Sequence, residues 1–557
     1  MRRIPPRLWA LAALSAVLQI LPFPIAGPVL LWRTVFCWVA LVPLLWALLA
    51  NNKTKNPLTL RQAALLSYFC GILWYLGNCY WIYQTMYLYG GLAKPIAAGI
   101  LILFCLYLGL YHALFGVLFA VFYRRFGRQI ALIFVPFVWV AVELARARIT
   151  GLPWDLLGIA QVDSPLLTRL APITGAYGLS FIVAGVNALW LIRIRLREHR
   201  FTRPLLTIVG VAIIVVYVVG LRLIANPKAS PTTATATLVQ ENLEVGAANA
   251  GPQPTTQQFL ESFSYLSRYP SPRYYLGIPE LSDTPSVYLI RQQDLSGGSD
   301  AGPRQSTPTD LIVWPESPAP FEDLDQQFSS SMSALARTAN APVIVGNTGL
   351  EPNPTSRSGY TLYNRASFVN PEGSFAGHYD KMHLVPFGEY VPYKELFSFA
   401  KNLLNEVGTF EPGKDRTVFT TGGHSYGVFI CYESIFGDEI RQLTQQGADV
   451  LINISNDGWY GDTSAAWQHL NMVRMRAIEN RRWILRATNT GVTAAINPYG
   501  RVTSAAPRHQ RTSIHVHFAY EHGLTFYAAH GDLFAYACAL VTAIALALSL
   551  QRKLAVN

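Results

Sequence analysis

The sequence predicts an α/β layered domain carried among membrane-spanning helices, and three observations lead there. Only 14% of the 557 residues are charged and 51% are hydrophobic, whereas an ordinary soluble domain is about a quarter charged. The deficit is uneven. Residues from about 8 to 224 and from about 531 to 551 are almost continuously apolar, while about 226 to 525 have globular composition. Within the globular stretch, short apolar runs alternate with helix-patterned segments, as layered α/β packing requires. The formal charge of +11 is concentrated between the apolar segments. That is a membrane-topology pattern and not a nucleic-acid face, so no nucleic-acid partner is expected. Heptads, internal repeats and metal-ligand spacings do not occur, and neither a metal nor a cofactor is expected.

Arg2, Arg3 and Arg7 precede the first apolar segment, Leu8 to Pro24. It lacks a clear small-residue cleavage site and reads as a retained helix, not a signal peptide. Further spans are expected at about 29–49, 62–87, 92–123, 129–147, 165–195 and 205–224, with an eighth at 531–551, since stretches of about 18 or more apolar residues are long enough to cross a bilayer. With a cytoplasmic N-terminus, the inside loops carry Lys53, Lys55 and Arg61, then Arg124, Arg125 and Arg128, then Arg193 to Arg203. This bias follows the positive-inside rule and puts the globular part on the outer, periplasmic side. The expected domains are therefore a membrane domain over 1–225, a periplasmic domain over 226–525 and a C-terminal helix and tail over 526–557. Two outer loops stand out, Tyr80-Trp81-Ile82-Tyr83 and Gly151-Leu152-Pro153-Trp154-Asp155. They read equally as an interfacial aromatic belt or as a wall for a lipid substrate.

Asn226-Pro227 to Thr235 is a linker, and a strand is expected over Ala236 to Val239 and a helix over Thr255 to Ser267. From about 268 to 309 the composition turns to Pro, Ser, Gly and Asp, which reads as a long loop insertion. Strands follow at Asp310 to Trp314, Pro342 to Val345, Gly427 to Ile430, Val450 to Ile454 and Thr493 to Ile496, with helices at Phe328 to Ala339 and Ala466 to Asn480.

The chemistry centres on the end of one strand. Val428-Phe429-Ile430 delivers Cys431 and then stops at Tyr432-Glu433. Of the six cysteines, the other five lie in apolar segments, so Cys431 is the only thiol of the globular part. A lone thiol is usually a small buried hydrophobe, but two other residues give this one a catalytic logic. Glu316 follows Trp314-Pro315, where the proline ends a buried strand and presents the carboxylate at its lip. Apolar walls suit such a group to general-base work. Lys381, in Tyr379-Asp380-Lys381-Met382-His383, is framed by apolar and aromatic residues and suits a fixed cation near a developing oxyanion. Glu389 is close enough in sequence to orient Lys381 or assist the base. His383 has no metal-spaced partner and reads as structural.

A strand-end Glu, a loop Lys with a second Glu nearby and a strand-end Cys, in that order, resemble the Glu-Lys-Cys triad of the nitrilase superfamily. The stretches Asn453 to Gly461, Gln468-His469, Arg476 to Glu479 and Arg486 to Gly491 add to the likeness. With membrane helices on both flanks, the chain resembles the apolipoprotein N-acyltransferase family along nearly its whole length. The resemblance implies a four-layer αββα sandwich on an eight-helix membrane bundle. It implies Glu316 as base, Lys381 as oxyanion stabiliser and Cys431 as nucleophile, with the Tyr432 amide as second oxyanion donor and Glu389, Tyr432 and Glu433 in support. Trp81, Trp154 and Trp459 are the implied substrate-binding aromatics. The implied donor is a glycerophospholipid such as phosphatidylethanolamine, the implied acceptor the N-terminal diacylglyceryl-cysteine of a bacterial lipoprotein, and the implied location the inner membrane. Two departures bear on the substrate mouth. Gln240-Glu241-Asn242-Leu243-Glu244 lacks the family's Gly and Pro, and the 268–309 insertion is longer than the family pattern.

Three rival readings compete. Gly423-His424-Ser425-Tyr426-Gly427 matches the G-x-S-x-G pattern of serine lipases, but the strand follows the serine where that elbow needs it before. A transporter or lipid-binding scaffold with an inert nitrilase-like domain would have little reason to keep all three of Glu316, Lys381 and Cys431. An amidase for a small amide or nitrile would not need bilayer access.

Overall fold

The computed structural model describes residues 3–50, 57–195, 231–243, 245, 254–271, 307–316, 319–356, 359–386, 388–390 and 410–551. The expected span at 205–224, the first part of the linker and most of the 268–309 insertion lie outside the described residues.

Among the described residues, twelve strands form two six-stranded mixed sheets. The first sheet contains β1 (Ala234–Gln240), β2 (Ile312–Val313), β3 (Val343–Pro352), β4 (Tyr360–Val369), β5 (Phe375–Asp380) and β12 (Thr512–Phe518), in the order β12-β1-β2-β3-β4-β5. The second contains β6 (Val418–Thr421), β7 (His424–Ile430), β8 (Val450–Ser455), β9 (Ile484–Thr488), β10 (Ala494–Ile496) and β11 (Val502–Ala505), in the order β11-β10-β9-β8-β7-β6. Alternation along each strand builds the layers, because successive side chains leave opposite faces. Val428 and Ile430 join Leu238, Val313, Ile344, Ile452 and Leu485 between the sheets. Phe429 points the other way, to the helices Gly437–Gln445 and Ala465–Asn480 through Ile440, Leu443, Leu470 and Val473. Across the first sheet, Ile312 and Trp314 pack on the helices Thr256–Arg268 and Gln326–Ala339 through Phe259, Phe263, Phe328 and Met332. The arrangement is helix, sheet, sheet, helix. Burying a side chain of this size contributes about 1.5–3 kcal/mol.

Local signals explain several helix starts. Thr255 caps its helix with a reciprocal box to Gln258, and Asp325 accepts from the Gln327 amide, each satisfying N–H groups that a helix start leaves open. Six strands escape the sequence reading: β4, β5, β6, β9, β11 and β12. Several carry charged or polar residues inside the sandwich, such as Arg365 in β4 and Arg486 in β9, both buried. Buried ionic side chains interrupt the apolar runs by which strands are recognised.

The described apolar helices bear on part of the span list. Among the described residues, three are long and apolar enough to cross a membrane by length and composition: Lys94–Thr150, Leu167–Arg193 and Leu533–Gln551. The expected spans 92–123 and 129–147 correspond to the two helical stretches of Lys94–Ala145 on either side of a break at Gly127, with φ 82°. Glycine adopts that left-handed angle without the Cβ penalty. The segment expected at 29–49 is divided into Leu31–Thr34, a 3-10 turn Val35–Trp38 and Val42–Leu48. The helix Leu60–Asn78 stops before Trp81. Along the Lys94–Ala145 run, Ile102, Leu103, Tyr107 and Leu110 are exposed, an apolar stripe of the kind a bilayer covers.

Candidate active site

β7, β8 and β9 run parallel, and β2 runs parallel to β1 and β3. Their carboxyl ends therefore come out on one edge, and the segments that follow carry Cys431, Asn456, Asn489 and Glu316. Ligand sites of open α/β sheets form at such edges. The two sheets meet there directly, because Glu316 Oε2 accepts from the Asn456 amide at 2.9 Å.

Glu316, Lys381, Glu389 and Asn364 form one buried cluster. Lys381 Nζ donates to Glu316 Oε1 at 2.9 Å and to Glu389 Oε1 at 3.0 Å. Asn364, on β4, donates from the same Nδ2 to Glu316 at 2.8 Å and to Glu389 at 2.6 Å. Glu389 Oε2 accepts from the Val385 amide at 2.7 Å, closing the loop that carries the lysine. Lys381 is only 1% exposed. Burial pulls its ammonium down, but Glu316 and Glu389 outweigh it and hold the group well above its ordinary range. Sequence reasoning missed Asn364, because β4, the strand that carries it, was itself not expected.

Cys431 sits where β7 turns into a 3-10 helix, Cys431–Ile435, with φ 48°. A non-glycine residue in the left-handed region is strained, and such strain collects at functional sites. Two contacts hold the turn. His469 Nε2 donates to the Cys431 carbonyl at 3.0 Å, and Asn453 Nδ2 donates to the Phe429 carbonyl at 3.3 Å. His469 Nδ1 lies 2.9 Å from Asp457 Oδ1, and Arg486 donates to Asp457 Oδ2 at 2.6 Å. Burial raises the Asp457 carboxyl, and Arg486 and His469 outweigh it and hold it well below the usual carboxylate range. The sequence reading picked out these stretches without giving His469, Asp457 or Arg486 a task. Burial, and secondly Glu316, push the Cys431 thiol up, against a smaller downward pull from Lys381. A thiol so placed rests protonated and needs a base.

Glu433 is a clamp. Its Oε1 accepts from Tyr379 OH at 2.6 Å, the Met382 amide at 2.8 Å and the His383 amide at 3.2 Å, and its Oε2 accepts from the Ile430 amide at 2.7 Å. The residues after Lys381 and the residue before Cys431 thus share one carboxylate. Burial still leaves Glu433 above its ordinary value. The His383 ring packs on Phe436 at 4.5 Å. Tyr432 is the second residue of the 3-10 turn, among the N–H groups a helix start leaves open, and its hydroxyl donates to the Gly151 carbonyl.

The three tryptophans take different places. Trp154 is 1% exposed, donates to Gln468 at 2.9 Å and stacks on His469 with ring centres 6.1 Å apart. It is enclosed and backs His469, which holds the Cys431 carbonyl. Trp81 packs against Trp154 and Tyr460. Gln468 Nε2 also reaches the carbonyls of Pro24 and Asn78. The loops carrying Trp81 and Trp154 therefore form the bearing on which the two-sheet domain sits. Trp459 is 45% exposed beside the site.

Ser425 lies at the start of β7, its amide bonded to Asp449 and its hydroxyl 3.2 Å from Thr420. The strand follows it, so no nucleophile elbow exists there. The Gln240 segment is held without the missing Gly and Pro: Asn242 takes φ 61°, and Leu243 exchanges two hydrogen bonds with the Asn489 side chain.

The two facing sheets and this edge define a carbon–nitrogen hydrolase domain, and the Carbon-nitrogen hydrolase family model matches residues 275–519. The model of the apolipoprotein N-acyltransferase N-terminal domain matches residues 15–189. Apolipoprotein N-acyltransferase of Geobacter metallireducens is 33% identical over 99% of this chain and 96% of its own length. Those of Haemophilus influenzae and Methylococcus capsulatus are 28% and 31% identical over 96% and 85% of this chain, and 93% and 84% of their own. Among solved structures, an amidase from Nesterenkonia sp. AN1 overlaps 55% of this chain and 99% of its own at 14% identity, with a TM-score of 0.34. The chain belongs to the apolipoprotein N-acyltransferase family.

Proposed function

We propose that this chain transfers an acyl group from a glycerophospholipid, such as phosphatidylethanolamine, to the N-terminal α-amine of a diacylglyceryl-cysteine lipoprotein, through a thioester on Cys431. Family membership supports lipoprotein N-acylation. The observation that carries the mechanism is the buried ammonium of Lys381, shared between Glu316 and Glu389 and acting electrostatically on the Cys431 thiol. In this reading Glu316 takes the thiol proton as sulfur attacks the ester carbonyl, and then protonates the departing alkoxide. Lys381 and the Tyr432 amide stabilise the oxyanion; losing one such donor typically costs roughly 3–4 kcal/mol in the barrier. In the second half the α-amine attacks the thioester, Glu316 accepts its proton, and the thiol is restored. Burial of the site keeps water from competing. The reading also places the protein in a bacterial inner membrane, with eight spans and a periplasmic catalytic domain, on the loop charges.

Intact-mass measurement tests it. Protein incubated with phospholipid alone should gain one acyl chain on Cys431, released by neutral hydroxylamine and lost on addition of a lipopeptide with a free α-amine. A lipopeptide with an acetylated amine should leave the adduct in place. Acyl transfer by the Cys431→Ala protein would refute the reading.

A further inference from the structure

A polar cavity lies away from the edge that carries Cys431, with a volume of about 240 Å³. Its walls come from both parts of the chain. Asp163 and Arg169 belong to the segment that leads into the apolar helix Ala171–Arg195, and Arg474, Arg481, Tyr499 and Arg501 belong to the two-sheet domain. Residue 481 lies 12 positions beyond His469 on the same helical run, about 18 Å along its axis at 1.5 Å per residue. The cavity is thus separate from the Cys431 site.

Its charge is unbalanced. Arg474 is committed to Asp163, to the Gly500 carbonyl at 2.7 Å and to Asn471 at 3.0 Å. Arg481 donates to the Pro498 carbonyl at 3.1 Å and lies over the Tyr499 ring at 4.6 Å, with no carboxylate partner among the described residues. Arg169 and Arg501 make no side-chain hydrogen bond or ion pair among the described residues. Three guanidinium groups therefore face one cavity without a counter-charge. The mutual cost is visible: Arg481 is lowered by burial and by Arg169, and Arg501 by burial and by Arg474. Like charges held together in a partly enclosed space call for an anion. Guanidinium forks match the several acceptor oxygens of a phosphate group. At about 30 Å³ per water molecule in the liquid, the space admits such a group with its remaining hydration. Arg169 lies in the 3-10 turn Leu167–Leu170, and Ile173, four residues on and ahead of the break at Gly175 in the Ala171–Arg195 run, is 51% exposed. Phosphate oxygens meeting the arginines and hydrocarbon meeting Ile173 is the geometry of a lipid headgroup at the membrane surface.

We propose that this cavity binds the phosphate of an anionic phospholipid and so ties the catalytic domain to the bilayer surface beside the Ala171–Arg195 helix. This lipid is held, not consumed, and the proposal does not depend on which ester donates the acyl chain. The test is native mass spectrometry of the full chain released from detergent, with phosphatidylglycerol, phosphatidylcholine or inorganic phosphate added. Wild type should retain one phosphatidylglycerol in preference to phosphatidylcholine. Arg169→Gln/Arg501→Gln should weaken that retention about tenfold or more. Arg169→Lys/Arg501→Lys keeps the charge and protects against a folding artefact; it should retain the lipid to an intermediate degree. Equal retention by wild type and both double variants would overturn the proposal. So would inorganic phosphate that saturates the cavity while leaving phosphatidylglycerol binding unchanged, since the site would then serve a soluble anion.

Discussion

Replacing Glu433 with glutamine asks whether the loop carrying Lys381 is held in register by the strand carrying Cys431. Glu433 is 2% exposed, and its two oxygens accept four donors, three on Oε1 and one on Oε2. Glutamine has nearly the same shape but one acceptor oxygen. If that oxygen faces Tyr379, Met382 and His383, the amide NH2 is set against the Ile430 N–H, 2.7 Å away in the wild type. One buried donor then loses its partner, at about 1–3 kcal/mol. The opposite orientation strands three donors and costs roughly three times as much, so the first prevails. The displaced amide directly precedes Cys431, and misplacing a reacting group by an ångström costs about 10²-fold in rate. Glu433→Gln should therefore lower Tm by several degrees and kcat by about 10²-fold, with KM little changed. Tyr379→Phe removes one donor and leaves the clamp closed, so its turnover should stay near wild type. The assay is transfer of a labelled acyl chain from phospholipid to a lipopeptide with a free α-amine, with thermal unfolding in detergent alongside. Wild-type Tm and turnover in Glu433→Gln would refute the clamp.

Three further outcomes are expected. Lys381→Met keeps the apolar stem and removes the charge, so turnover should fall by about 10²-fold or more; near-normal turnover in folded protein would return Lys381 to a structural role. Asp457→Asn leaves Arg486 buried without its counter-ion and should cost roughly 3–5 kcal/mol in stability, read from denaturant unfolding; a loss below about 1 kcal/mol would show that the network is not held by charge. Glu479, which accepts from the Ala176 amide at 2.9 Å, is pushed by burial from its ordinary 4.5 to about 7, against the downward pull of Arg476. Between those values the folded state binds the extra proton, so stability is fuller below the window and falls as pH rises through it. The Tm of wild type relative to Glu479→Gln should therefore drop across that window, and a constant gap would contradict the assignment.

The sequence by itself determined the division into apolar and globular parts and the α/β layering, and it singled out Glu316, Lys381, Glu389, Cys431, Tyr432 and Glu433 as candidates. Those features are written in composition, in period-2 apolar runs and in strand-end polar residues such as Glu316 and Cys431, all of them local signals. The span list was legible in part: the gap left between 123 and 129 contains Gly127, where the helical run breaks, whereas hydropathy does not register the short turns between Leu31 and Leu48. What only the tertiary structure decided is which side chains pair within the site. Asn364 and Glu389 lie 25 residues apart, and Asp457 and Arg486 lie 29 apart. Each pair becomes a unit only when strands from distant stretches bring their ends to one edge. Trp154 and Gln468, 314 residues apart, likewise reveal the bearing between the two parts of the chain only in space. A charged residue inside a sandwich breaks the apolar pattern that marks a strand, and its partner lies far along the chain. Its purpose therefore becomes readable only where the folded sheets set the two side by side.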